Sequence, residues 1–270
     1  MKRAWRRAFR MTRLAGHLLL GAVVVKFIYP LVSREARLGL RARWCERVLH
    51  VLGVDLRVVG AVPSGCHLIA ANHISWLDVF VIGAVLPCWY VAKDDTRSWP
   101  FLGWIAAAND TLFLRRASAR AAYRMNVEIR ARLNAQQSVV IFPEGTTTDG
   151  TRVLDFYPAL FQPAVDMVLP VLPLAICYRD EAGHTATAVA YIDDDPLWKS
   201  LRQVLDAPRT EAQLVLDPAL DPRGRKRREF ASDACHAIRR LQNRDAAPVR
   251  LGEPRASAMV PVFQPAGASD

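Results

Sequence analysis

The chain has 270 residues, about half of them apolar, and a formal net charge of +10. That length fits one large α/β domain with attached segments better than two domains of equal size. Its five cysteines contain no Cys-x-x-Cys pair, and its six histidines show neither His-x-x-x-His nor His-Glu-x-x-His spacing. This pattern excludes a disulfide framework and a structural zinc site, and it suits a reducing, cytosolic environment.

The charge is concentrated at one end. Residues 1 to 47 hold twelve Lys/Arg and two Asp/Glu, and the remaining 223 residues hold 24 of each sign. These N-terminal cations flank an apolar run from Leu14 to Val32, interrupted by His17 and Lys26. Basic residues beside an apolar segment mark the cytoplasmic side of a membrane. The segment is read as a retained anchor. Spanning and shallow insertion are both open, because Lys26 near its end disfavours a stable span. A secretory signal is the competing reading, opposed by the lack of a small-x-small cleavage pattern and by the five arginines from Arg34 to Arg47.

In chain order, Leu38, Trp44, Val48 and Leu52 predict a helix over residues 33 to 52 with a basic outer face. Strands are expected at 56–59, 66–70, 89–92, 111–114, 139–142, 171–177, 186–192 and 213–216. Helices are expected near 76–86, 99–108, 117–135, 158–166, 197–205 and 226–243. The alternation predicts an α/β fold with a central sheet flanked by helices. The chain then divides into a membrane-associating region (1–52), a globular domain (53–245) and a mobile Ala/Pro-rich tail (246–270).

Four runs carry candidate chemistry. In Asn72-His73-Ile74-Ser75-Trp76-Leu77-Asp78, a histidine and a carboxylate five residues apart can activate a hydroxyl. No Gly-x-Ser-x-Gly occurs, so that hydroxyl can belong to a substrate, with the acceptor alcohol taking the place of serine. The same run also fits a capping box with Asp78 at N3. The second run, Val139 to Gly150, breaks an apolar strand at Pro143. It places Glu144, Gly145 and Thr146 on a loop at a strand's carboxyl end, where open α/β sheets bind ligands; an ordinary polar turn is the alternative. In the third, Arg116, Arg120 and Arg124 share a helix face after Thr111-Leu112-Phe113-Leu114, and Lys93 closes Trp89-Tyr90-Val91-Ala92. Guanidinium groups suit phosphate, and a solvated basic face gives the same spacing. The fourth, Arg223 to Arg228, precedes an amphipathic pattern and is read as a solvated helix start. Without stacking-aromatic or paired-cysteine motifs, no nucleic-acid partner is expected.

Taken together and in this order, the runs resemble the glycerolipid acyltransferases of the 1-acylglycerol-3-phosphate acyltransferase family, over roughly residues 50 to 244. Asn72, His73 and Asp78 match its Asn-His-(four residues)-Asp motif, and Phe142 to Thr146 match Phe-Pro-Glu-Gly-Thr. Phe113 with Arg116 matches Phe-x-x-Arg, and Val171 with Pro173 matches a later Val-x-Pro strand. The resemblance implies a glycerol-3-phosphate acyltransferase-like fold and transfer of an acyl group from a thioester to a lysolipid hydroxyl. It makes His73 the general base, oriented by Asp78, and gives Arg116 and Lys93 the acceptor's phosphate. Glu144, Gly145 and Thr146 then bind the acceptor's glycerol part. No cofactor and no metal are implied; the co-substrate is acyl-coenzyme A or acyl carrier protein, and membrane lipids are the other partners. The implied acceptor is 1-acyl-sn-glycerol-3-phosphate, giving phosphatidic acid. Two departures point elsewhere: Thr147 stands where many members have arginine, and Asp110 replaces a glycine. Both weaken the case for a phosphomonoester head group, and the Thr-Thr-Thr-Asp-Gly continuation and the Ser-Trp-Leu-Asp start are similar to the lyso-ornithine lipid acyltransferase branch. A thioesterase and a lipid-binding protein without turnover are the rival classes.

Overall fold

The computed structural model describes residues 2–93, 111–114, 119–192 and 195–244, together with Gly103 and Ala106. Seven strands form one sheet: β1 (Val54–Val59), β2 (Leu68–Ala71), β3 (Cys88–Lys93), β4 (Thr111–Leu114), β5 (Ser138–Ile141), β6 (Val171–Arg179) and β7 (Thr210–Leu216). Their order is β1-β7-β6-β2-β5-β3-β4. The five strands from β6 to β4 are parallel, and β7 pairs antiparallel to β6, with β1 alongside it.

This order sets the position of the site. From β2 the chain reaches β3 on one side, and from β5 it crosses to β6 on the other side of β2. Because β2, β5, β3 and β4 are parallel, their carboxyl ends share one edge, and the crevice at such a switch point is where α/β sheets take ligands. The motifs that follow β2 and β5 therefore come together although about seventy residues separate them.

Helices cover both faces. The helices are α1 (Lys2–Val23), α2 (Arg34–Leu52), α3 (Asp78–Gly83), α4 (Ala119–Asn134), α5 (Gln162–Asp166), α6 (Leu197–Asp206) and α7 (Arg227–Arg244). Alternation along the strands sends Ile69, Leu172, Leu174 and Ile176 into a core with Val48, Leu52, Val81 and Leu205. Leu68, Ala70, Val171 and Ala175 face a second core with Ile129, Leu133, Phe230 and Ile238. Side chains two apart share a face of the pleat, so each parallel strand reads as a continuous apolar run.

Local signals explain several boundaries. Ser33 caps α2 by accepting from the Ala36 N–H at 3.3 Å, and Gly53 ends it in the left-handed region at φ 79°, where glycine carries no Cβ penalty. α1 continues through a π turn (Val24–Ile28) and a 3-10 turn (Tyr29–Leu31). Trp44 of α2 donates to the His17 carbonyl at 3.2 Å, and a Cβ at Gly21 would lie 2.7 Å from the same indole nitrogen. Close approach of α1 and α2 thus requires Gly21.

The expected strand at 186–192 is instead a 3-10 turn, Thr187–Val189. β6, the strand before it, is already flanked by β2 and β7, and after the isolated antiparallel bridge of Thr185 to Arg179 the segment leaves the sheet. Its backbone satisfies other partners: Ala186 N–H donates to the Tyr178 carbonyl and Tyr191 N–H to the Ile74 carbonyl, each at 2.9 Å. The predicted helix at 99–108 lies almost wholly outside the described residues, as do the junction at 115–118 and the tail.

Among the described residues one helical stretch, Lys2–Leu31, is long and apolar enough to cross a membrane. Its outer side exposes Trp5, Phe9, Leu19, Leu20, Val23, Phe27 and Leu31. Its inner side packs along the domain, with only Leu14 and Gly21 buried. Three of the basic residues expected to meet lipid turn inward. Arg10 Nη1 donates to the carbonyls of Val204, Leu205 and Ala207 at 3.4, 3.3 and 2.8 Å. Arg6 donates to the Asp206 carbonyl, and Arg7 pairs with the Asp206 carboxylate at 3.0 Å. They supply the cations that the unsatisfied carbonyls at the end of α6 attract.

Candidate active site

The loop after β2 is held by side chains that take over the work of the sheet. Asn72, fully buried, accepts from the Ile176 N–H at 2.7 Å and donates to the Ile176 carbonyl at 3.0 Å. Its amide thus extends the β2–β6 ladder by one residue and aims the backbone of His73. The His73 N–H donates to Glu144 Oε1 at 2.8 Å, and its carbonyl accepts from the Thr148 N–H at 2.9 Å. The loops after β2 and β5 are bound to each other at this residue.

The His73 imidazole stacks on Phe142 with ring centroids 4.0 Å apart, and its Nδ1 lies 2.7 Å from Asp78 Oδ2. Asp78 opens α3 and has no solvent exposure. An unpaired carboxylate buried in this way costs several kcal/mol, and here four donors offset that cost. Oδ2 also accepts from the Ile74 and Ser75 N–H groups at 2.8 and 3.0 Å, and Oδ1 accepts from the Tyr178 hydroxyl at 2.8 Å. The expected capping box does not form, because α3 begins at Asp78 with Leu77 at its N-cap position, although Asp78 does reach back to the Ser75 N–H. The Ser75 hydroxyl is buried and makes no hydrogen bond among the described residues.

An acceptor-only carboxylate at Nδ1 selects the tautomer in which Nδ1 carries the proton and Nε2 presents a lone pair. The His73 side chain is 21% exposed while that of Asp78 is fully enclosed, so the ring bridges the dry interior and the open edge of the sheet. Such an imidazole can accept a proton from a hydroxyl delivered to Nε2.

The Phe-Pro-Glu-Gly-Thr segment differs from its expected role at Glu144. Both carboxylate oxygens point inward, Oε1 to the His73 N–H and Oε2 to the Leu154 N–H at 2.7 Å, and the residue is 3% exposed. Expected beside a substrate's glycerol, Glu144 instead clamps the histidine's backbone to the far end of its own loop. Burial raises its carboxyl from the ordinary value, and the two N–H donors pull it back. Gly145 lies at φ 74°, and a Cβ there would approach Tyr157 to 2.7 Å, so both conformation and space call for glycine. Thr146 is exposed at the open edge. Thr147 turns its hydroxyl to the Tyr191 carbonyl.

Lys93 is the last residue of β3 and pairs in register with Leu114, the last of β4. Both strand ends lie on the edge that carries His73. Arg116 falls outside the described residues, and Arg124 is exposed on α4. Sequence reasoning missed Tyr178; its only sequence signal is a polar tip within the otherwise apolar run Val171 to Tyr178.

A family model described as Acyltransferase matches residues 55–177, which include the loops after β2 and β5. The lyso-ornithine lipid O-acyltransferase of Pseudomonas aeruginosa is 34% identical over 207 residues, covering 77% of this chain and 80% of that protein. The chain belongs to the acyltransferase family and is an acyltransferase. Another lyso-ornithine lipid O-acyltransferase, from Rhodobacter capsulatus, is 31% identical over 72% of this chain and 71% of that relative. The 1-acyl-sn-glycerol-3-phosphate acyltransferase of Neisseria meningitidis serogroup B is 38% identical over 54% of this chain and 58% of its own length. Among solved structures, the 1-acyl-sn-glycerophosphate (LPA) acyltransferase PlsC of Thermotoga maritima superposes with a TM-score of 0.67, covering 90% of this chain and 99% of that one. At 22% identity that likeness speaks for the fold, and within the family this chain keeps the α/β architecture expected from its sequence.

Proposed function

We propose that this acyltransferase moves an acyl group from a thioester to the free hydroxyl of a lysolipid, with His73 as general base and Asp78 holding its ring. The observation that carries the proposal is the His73 ring itself, committed to Asp78 through Nδ1 and partly exposed at the sheet edge. Nε2 makes no hydrogen bond to a serine, threonine or cysteine among the described residues, so the acceptor alcohol is the nucleophile. Its O–H bond breaks as Nε2 takes the proton, a C–O bond forms at the thioester carbonyl, and the C–S bond breaks to release thiolate. Imidazolium then returns the proton to sulfur, leaving ester and thiol.

In this reading Arg116 and Lys93, from the ends of β4 and β3, hold the acceptor's head group, and Thr146 with the Gly145 backbone meets its glycerol part. Glu144 acts on the acceptor only through His73. The acceptor of the leading reading is 1-acyl-sn-glycerol-3-phosphate, giving phosphatidic acid, and the donor is an acyl thioester of coenzyme A or of acyl carrier protein. A lyso-ornithine lipid acceptor is the second reading. It is favoured by Thr147, whose side chain is turned to the Tyr191 carbonyl at a position where a phosphate-binding arginine is common in the resemblance.

The enzyme works at the cytoplasmic face of the membrane. The side of α1 away from the domain exposes apolar residues along the helix, while Arg6, Arg7 and Arg10 tie its first turns to the end of α6. A helix fastened along the domain lies in one leaflet. The functional test offers labelled acyl-coenzyme A to membranes containing the enzyme and a panel of lysolipids, with diacyl lipid and free fatty acid counted together. Diacyl lipid from lysophosphatidic acid is the expected product. Preference for lyso-ornithine lipid replaces the acceptor, free fatty acid alone identifies a thioesterase, and no turnover overturns the reading.

A further inference from the structure

Tyr178 lies on β6, two residues beyond the Ile176 backbone that Asn72 grips. It is 2% exposed, and its hydroxyl donates to Asp78 Oδ1 at 2.8 Å. We propose that Tyr178 is a positioning residue of the acyl transfer, a buried phenol that fixes the Asp78 carboxylate so that its other oxygen stays aimed at His73; this rests on His73 being the base.

The two carboxylate oxygens of Asp78 have different tasks. Oδ2 accepts from His73 Nδ1 and from the Ile74 and Ser75 N–H groups. Oδ1 accepts from Tyr178 alone among the described residues. A carboxylate turns readily about its terminal torsion, and at zero exposure no bulk water is present to satisfy an oxygen that loses its donor. The two backbone N–H groups hold Oδ2 and the phenol holds Oδ1 from the other side, so the carboxylate plane is fixed at both of its oxygens. The phenol also remains a donor at every working pH: burial first, and the Asp78 charge next, push its hydroxyl well above the ordinary value of 10.0. The Ser75 hydroxyl does not share the task, since among the described residues it makes no hydrogen bond.

The arrangement joins three elements at one carboxylate. β6 supplies the phenol, the N-terminus of α3 supplies Asp78, and the loop after β2 supplies the imidazole. A tyrosine serving only as core packing needs its ring in the apolar layer with Leu174 and Ile176, and it has no need of a hydroxyl at hydrogen-bond distance from a buried acid. Among the described residues, the titratable groups facing the His73–Asp78 pair are Tyr178 from β6 and Glu144 from the loop after β5. Glu144 has both oxygens on backbone N–H groups.

Tyr178→Phe keeps the ring and removes the donor. In membranes carrying the full chain, assayed with acyl-coenzyme A and the lysolipid preferred by the wild type, kcat is expected to fall about ten- to a hundredfold, as for a hydrogen bond to a charged group. Both KM values should stay unchanged. The acidic limb of the kcat profile should move to higher pH, because a carboxylate with one donor fewer holds a proton on its neighbour more tightly. Tyr178→Leu, which also loses the ring, should show the same displacement together with a lower Tm. A Tyr178→Phe rate within twofold of wild type, or a loss accompanied by raised KM and an unmoved pH profile, overturns the assignment while leaving the acyltransferase reading intact. A wild type that acylates no lysolipid in the panel overturns both.

Discussion

The loop after β2 and the first turns of α1 both place charged side chains against backbone, to opposite ends. Around His73, carboxylates accept from N–H groups: Asp78 from Ile74 and Ser75, Glu144 from His73 and Leu154. On α1, guanidiniums donate to carbonyls: Arg10 to Val204, Leu205 and Ala207, and Arg6 to Asp206. The first set fixes one ring at the crevice of the sheet. The second fastens the apolar-faced helix α1 to the domain and, among the described residues, touches none of the site residues. The contrast separates what orders the chemistry from what orders its location, and substitutions in the two regions should fail in different assays.

The largest effects belong to the His73–Asp78 pair. His73→Ala should lower product formation by about 10²- to 10⁴-fold, the usual contribution of a positioned general base, with a lower Tm as well, since buried Asp78 loses one of its four donors. Asp78→Asn should lower the rate comparably and also lower Tm, since an amide nitrogen would face N–H donors now served by Oδ2. Wild-type rates in both variants would remove the catalytic assignment. Glu144→Gln should be milder. One of its two backbone N–H partners then faces an amide donor, at a cost of about 1–3 kcal/mol, and a rate loss through His73 should accompany the fall in stability.

Arg10→Ala tests the other side of the comparison. Thermal unfolding should show a loss of about 0.3–1 kcal/mol, the usual contribution of a cation at a helix C-terminus, with kcat of the membrane-bound enzyme unaltered. A rate loss as deep as that of Glu144→Gln would erase the distinction between the regions. The smallest effect concerns pH. Burial raises the Glu144 carboxyl in the folded chain above its ordinary value of 4.5, so the folded state binds that proton more readily than the unfolded state. Its contribution to stability therefore increases as pH falls through the folded value. The Tm difference between wild type and Glu144→Gln, which does not titrate, should accordingly widen from neutral pH toward 4.5; a constant difference would show that burial leaves this group unshifted.

Much of the sheet was legible because a strand's apolar run and its breaker stand side by side. Leu68 to Ala70 stops before Asn72, and Val139 to Ile141 stops before Pro143. The segment 186–192 has a strand's composition, and it turns away from β6, whose two sides are taken by β2 and β7, a property of strand order that residue types do not carry. That His73, Asp78 and Glu144 belong to two motif loops was legible, while the role of Glu144 was not: whether a carboxylate faces a ligand or its own backbone depends on where Leu154 returns. Tyr178 was hidden among apolar neighbours, with its partner a hundred residues away. The arginines of α1 were counted correctly as an excess, but charge counting does not show which of them a helix end will claim.

The enclosure of Asp78 also determines how the catalytic cycle resets. With the carboxylate sealed from solvent and Nδ1 committed to it, Nε2 is the single port through which a proton enters and leaves the ring. The proton taken from the alcohol departs by the same route, and in the proposed reaction the sulfur that occupies that space once the acyl group has moved accepts it. In the proposed reaction each turnover therefore returns His73 to its starting form with no net uptake or release of a proton.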